Sequence, residues 1–172
     1  MKSRSISIKV DGITFLSTGK YYDGINRWVA HKIKEGDSDA IEYAAKQMGL
    51  ILPGNSVLIP IPGHLGYPKE TMALAEAISR NTRHPIADIL RGNKRESQYE
   101  AKYRGYTLSQ EEMGFERIAS IPDGKQPILI DNVVDTGTTA KAAFKALGSG
   151  IVLSYAMSDT LLDKPLFRGI RL

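Results

Sequence analysis

Apolar and polar positions change rhythm several times along the chain, and each rhythm predicts an element. Ile6, Ile8 and Val10 alternate with polar residues, as do Ile13 and Phe15, and Asp11 and Gly12 between them form a hairpin pair. Ile25, Trp28, Val29, Lys32 and Ile33 recur at helical spacing. Ile41, Ala44, Ala45 and Met48 do the same, behind Asp37 or Ser38 as a cap and ahead of Gly49 as a stop. Residues 56–61 read as a buried strand, 71–80 as a helix, 86–90 as a short strand. From 91 to 114 the chain is polar and charged with little periodicity. Residues 128–131 and 151–156 complete the strands, and 140–147 reads as a helix between them. Strands alternating with helices predict an α/β fold with a mainly parallel twisted sheet flanked by helices and a small N-terminal hairpin. In such folds ligands bind where loops leave the carboxyl ends of the strands.

One such loop carries the chemistry. Ile128, Leu129 and Ile130 form the unbroken apolar run of a strand covered on both faces. Asp131 and Asn132 stand where that strand is expected to end, and Asp135, Thr136, Gly137, Thr138 and Thr139 lead into the next helix. A helix N-terminus offers free N–H groups and the positive end of the helix dipole, which suits a phosphate. The carboxylate and amide before it suit sugar hydroxyls, so the segment reads as a sugar-phosphate site. Neither G-x-x-x-x-G-K-[ST] nor G-x-G-x-x-G occurs in the chain. A second loop, residues 60–66, follows the 56–61 strand with Gly63 and Gly66, which let a backbone approach a ligand, and with His64 and nearby Lys69 as positive groups.

Composition narrows the reading. A chain of 172 residues with 42% hydrophobic and 24% charged residues suits one soluble domain with a real core. No apolar run reaches the length of a membrane span, and no signal-peptide pattern opens the sequence, so a cytoplasmic location is expected. With no cysteine, the chain has no disulfide, thiolate metal site or cysteine nucleophile. The net charge of +4 suits an anionic small molecule, and equally weak contact with nucleic acid. Residues 91–104 interleave basic side chains with Tyr99 and Tyr103, which fits either nucleic acid or a lid that closes over an anion.

The segment 127–139 resembles the 5-phosphoribosyl-1-pyrophosphate (PRPP) signature of type I phosphoribosyltransferases: apolar strand, acidic pair, two aliphatics, then an Asp-Thr-Gly-Thr-Thr loop. Residues 22–37, the Val57-Leu-Ile-Pro-Ile-Pro62 run and, loosely, residues 91–98 are similar to stretches of the ComF-like members. The chain departs from them in lacking zinc-binding cysteines and in having Asn132 at the second acidic position. The resemblance implies a single domain over 1–172, with 1–50 forming a hairpin, helices and a hood, and 51–160 the PRPP-binding core. It implies that Asp131 and Asn132 hold the ribose and that Thr136, Gly137, Thr138 and Thr139 hold the 5-phosphate. Pro62, Gly63 and His64 would bind pyrophosphate through backbone amides, and Arg91, Lys94, Arg95 and Lys102 would close over it as a flexible lid. Asp135 would serve as general base or orient the acceptor; its residue type also suits capping of the following helix. Mg²⁺ would arrive on the pyrophosphate. The expected activity is transfer of phosphoribose between pyrophosphate and a nitrogenous base or amine, by a homodimer. The alternative is a non-catalytic PRPP- or nucleotide-binding protein acting in regulation or DNA uptake. The hood that reads the acceptor is expected from the first fifty or last fifteen residues.

Overall fold

The computed structural model describes residues 5–162. Strand β1 (Ile6–Val10) turns into β2 (Ile13–Ser17) with Val10 opposite Ile13. A two-residue turn of this kind needs positive φ at both positions to match strand twist. Asp11 has φ 51° and Gly12 φ 79°, as the Asp-Gly pair predicts.

The hairpin is not a separate flap. Its second strand pairs in parallel with β7 (Ile151–Met157), so it extends the main sheet. That sheet runs β1-β2-β7-β6-β3, with β6 spanning Gln126–Val134 and β3 Ser56–Pro60; β2, β7, β6 and β3 are mutually parallel. One face packs on α1 (Asn26–Lys34), α2 (Ser38–Leu50) and α3 (Glu70–Thr82), joining Leu58, Ile128, Ile130 and Leu153 to Ile33, Met48, Leu74 and Ile78. The other face packs Ile59, Leu129, Val152 and Phe15 beneath α6 (Thr138–Leu147). Cover on both faces is why the central strands are apolar without alternation.

Most helix bounds follow the sequence. Asp37 caps α2, accepting from Ala40 N at 2.9 Å. Gly49 does not stop that helix, which runs on to Leu50. Three segments differ more. The expected strand at 86–90 makes only one bridge, Ile86 to Leu58, since Pro85 gives the ladder a carbonyl but no N–H. Leu90–Arg91 (β4) instead pairs with Glu116–Arg117 (β5) in a separate two-stranded ribbon. Within 91–114, two short helices form, α4 (Gln98–Tyr103) and α5 (Gln110–Met113). Ser97 accepts from Glu100 N while the Glu100 carboxylate accepts from Ser97 N, a full capping box, and Ser109 caps α5 through Glu112 N. The third difference is that β6 continues to Val134. A last four-residue helix, α7 (Asp159–Leu162), follows β7. Residues 163–172, part of the stretch expected to contribute a hood, lie outside the described residues.

Candidate active site

The parallel strands all end on one edge, and the longest, β6, carries the site. Along β6, Ile128 and Ile130 pack with α1–α3 and Leu129 with the opposite layer; after Asn132 the alternation breaks, Val133 packing with Ile128 and Ile130 and Val134 with Leu129. Asp131 lines a cleft of about 160 Å³ together with Val133, Val134, Asp135 and residues 136–140. Asn132 turns the opposite way. It is 5% exposed, and its Nδ2 donates to Ala30 O of α1 at 3.0 Å. The ribose contact expected of Asn132 is therefore not made available by this structure, because its amide is engaged by the Ala30 carbonyl and its side chain does not line the cleft. Asn132 Oδ1 is buried without a partner.

Asp131 accepts one hydrogen bond, from Asn132 N at 2.8 Å. Burial pushes its carboxyl up to about 7, against smaller lowering effects of the Asn132 N–H and of Lys34. Asp135 stands in a different environment in the same cleft. It accepts from Ser158 Oγ at 2.7 Å and faces Lys102 Nζ at 3.4 Å. Burial opposes its charge, but the Ser158 hydroxyl, Lys102 and Thr160 outweigh that and hold it below the usual carboxylate range. It does not cap α6, so the capping role suggested by its residue type is not realised; the residue at that position is Gly137.

Gly137 has φ 87°, a left-handed conformation that a β-carbon would strain, and a β-carbon there would also stand 3.2 Å from Leu161 Cδ1. This turn aims the start of α6 at the cleft. Gly137 has no side chain to cap the helix, Thr138 N donates to Thr136 Oγ1 at 3.4 Å, and the N–H groups of Thr139 and Ala140 precede the first intrahelical bond, Lys141 N to Gly137 O. Thr136 Oγ1 and Thr138 Oγ1 lie 2.9 Å apart beside them. Thr136, Gly137, Thr138 and Thr139 thus converge on one wall of the cleft, with both carboxylates on the adjoining wall.

The lid cations separate. Lys102, on α4, lines the cleft. Arg91 is held in a bidentate pair with Asp88 at 2.7 and 3.0 Å, and Lys94 is exposed away from the cleft. Arg95 reaches the loop after β3, donating from Nη1 to Gly63 O at 3.1 Å. In that loop Pro62 has no N–H to offer, and Gly63 N donates to Tyr67 O at 3.2 Å, so neither supplies the free amide expected of it. The amides of His64 and Leu65 make no hydrogen bond among the described residues. The loop does not line the cleft. Gln98 and Thr107, overlooked in the sequence, do line it. The Ser97-x-x-Glu100 capping box that starts α4 was the signal for Gln98. Ser158 carried no comparable local pattern, because its contact with Asp135 joins two strand ends.

No family model matches the chain, and no curated protein matches it in sequence. Solved structures similar in shape include adenine phosphoribosyltransferase from Leishmania donovani, 13% identical over 92% of this chain and 89% of that one, TM-score 0.48. The enzyme of the same name from Thermoanaerobacter pseudethanolicus is 15% identical over 91% and 93%, TM-score 0.46. That from Trypanosoma brucei, in complex with AMP, pyrophosphate and ribose-5-phosphate, is 12% identical over 94% and 90%, TM-score 0.46. At these scores the likeness is one of general outline and says nothing of chemistry.

Proposed function

We propose that this protein binds PRPP and transfers its phosphoribosyl group between pyrophosphate and a nitrogenous base or amine. The observation that carries this reading is the α6 N-terminus, entered through a left-handed Gly137, opening with threonine hydroxyls into a cleft that also holds Asp131 and Asp135. The N–H groups and hydroxyls of 136–139 would take the 5-phosphate. Asp131, one residue-pair deeper in the strand, would accept from the ribose hydroxyls.

The reaction breaks the bond from C1 to a pyrophosphate oxygen, which leaves with the electron pair, and forms a bond from C1 to nitrogen. Asp135 is ionised and can only accept hydrogen bonds, so it suits an N–H of the incoming nucleophile. Lys102 shares that carboxylate and sits on the covering helix, placing one cation over the reacting end. Among the described residues no cluster of three or more metal-ligating side chains exists, so a purely protein cage for Mg²⁺ is not built. Asp131 nevertheless fits the ion as a partial ligand: it is a hard oxygen donor that lines the cleft. When bound with pyrophosphate, Mg²⁺ would neutralise the leaving group's charge.

Calorimetric titration with PRPP, with and without Mg²⁺, tests the reading. Micromolar binding strengthened by Mg²⁺, followed by pyrophosphate release on adding an acceptor base, supports the enzyme. Binding without release with any base supports a non-catalytic PRPP-binding protein. Absence of PRPP binding, with steeply salt-dependent affinity for single-stranded DNA, would place the function on the basic lid instead.

A further inference from the structure

The β1–β2 hairpin reaches the far side of the phosphate-type turn. Lys141, in the first turn of α6, donates from Nζ to Asp11 Oδ2 at 2.6 Å, and Asp11 stands at the hairpin tip 130 residues earlier. Lys141 N also donates to Gly137 O at 2.8 Å, the first bond of the helix. The lysine stem runs past the turn: a β-carbon on Gly137 would stand 3.6 Å from Lys141 Cε, 3.2 Å from Leu161 Cδ1 and 3.8 Å from Phe15 Cζ. The back of Gly137 is therefore walled by β2, α6 and α7 together. Residues 136–140 line the cleft, and neither Lys141 nor Asp11 does.

Local preference does not explain this lysine. A cation in the first turn of a helix opposes the positive end of the helix dipole. The Lys141 side chain is also only 14% exposed, so most of it is out of water. A carboxylate in contact offsets both costs. Asp11 supplies it from the turn that the Asp11-Gly12 pair makes, with φ 51° and 79°. The ion pair thus ties the hairpin tip to the start of α6, with the ammonium directed at the hairpin rather than at the cleft wall.

We propose that Lys141 is a positioning residue, anchored by Asp11, that braces the back of the Gly137 turn and so fixes the direction in which the first N–H groups of α6 meet a phosphate. The inference rests on the reading above. It gives the hairpin, which contributes no residue to the cleft, a part in holding the ligand. Two roles for the lysine have opposite signs. If the ammonium attracted the phosphate directly, neutralising Asp11 would unmask it and tighten binding. If the ion pair holds the turn, neutralising Asp11 loosens the turn and weakens binding.

Calorimetry on the full chain with ribose 5-phosphate reads the sign, for the wild type, Asp11→Asn, Lys141→Met and the double variant. Asn-Gly favours the same hairpin turn as Asp-Gly, and methionine keeps an unbranched stem against Gly137 without the charge. Each single variant should weaken binding by roughly three- to fivefold, the scale of a partly exposed ion pair. The double variant should lose no more than that, because each residue acts through the other. Tighter or unchanged binding by Asp11→Asn overturns the proposal and leaves the sugar-phosphate reading standing. A loss of roughly ten- to twenty-five-fold in the double variant, the product of two independent effects, overturns it too. A wild type that does not bind ribose 5-phosphate removes the reading above and this inference with it. Thermal melts check folding; if Lys141→Met is unfolded at the assay temperature, the sign given by Asp11→Asn at the exposed hairpin tip decides alone.

Discussion

Replacing Asp131 by asparagine should make the protein more stable, and more so as pH rises. In the folded state burial raises this carboxyl from 3.8 to about 7. A raised acid is a cost at neutral pH, because the folded chain holds a proton that the unfolded chain has already shed. A carboxyl whose pKa rises by one is disfavoured in its charged form by about 1.4 kcal/mol, so the full penalty is at most about 4 kcal/mol, reached only above pH 7. At pH 5 only part of it is expressed, about 1.5 kcal/mol. Below the unfolded value the penalty vanishes. The substitution keeps the oxygen that accepts from Asn132 N and removes the charge. The excess stability of Asp131→Asn should therefore grow by about 2–3 kcal/mol between pH 5 and pH 8. For a chain of this length that is a widening of the Tm gap by roughly 5–10 °C. Thermal melts of both proteins at the two pH values, at constant ionic strength, read it directly. A gap that stays constant or narrows would refute the argument that Asp131 is a desolvated acid. The same variant should bind PRPP more weakly, so a gain in stability would accompany a loss of function.

Asn132→Asp, which restores an acidic pair, should lower stability by about 2–4 kcal/mol in urea melts and leave PRPP affinity unimproved, since the new carboxylate would face the Ala30 carbonyl; unchanged stability with tighter binding would show that residue 132 turns toward the cleft. Gly137→Val should cost about 1–3 kcal/mol in the same melts through its positive φ and the Leu161 contact, and should abolish ribose 5-phosphate binding. Asp135→Asn should abolish turnover, read as pyrophosphate release, and spare PRPP affinity; retained turnover would remove Asp135 from the chemistry. Ser158→Ala should raise the Asp135 pKa, so that stability contributed by this carboxylate is lost at a higher pH on acidification, a change visible in NMR titration of its side-chain carbon.

The sheet and its order of elements were legible because both-face burial leaves an unbroken apolar run, as at Ile128, Leu129 and Ile130. The hairpin was legible because only a few residue pairs tolerate two consecutive positive φ angles. The phosphate-type turn was legible because Asp135 through Thr139 combines a flexible glycine with hydroxyls at a helix start. Elsewhere the signal lay in geometry that sequence does not carry. The fate of Asn132 turned on whether its amide met the cleft or α1, and nothing local decides that; the Ala30 carbonyl, 102 residues earlier, does. The four lid cations looked equivalent in a charged stretch. Tertiary neighbours separated them: Asp88 captured Arg91, the Gly63 carbonyl captured Arg95, and Asp135 drew Lys102. Ser97 with Glu100 announced α4 in the sequence, and the polar composition around the pair obscured it.

Whether residues 136–139 hold a sugar phosphate can be read from backbone amide NMR during titration with ribose 5-phosphate. Saturable shifts concentrated at Gly137, Thr138, Thr139 and Ala140, absent in Gly137→Val, are expected. Shifts confined to the surface around Lys94 and Arg104, or none at these amides, would contradict that reading.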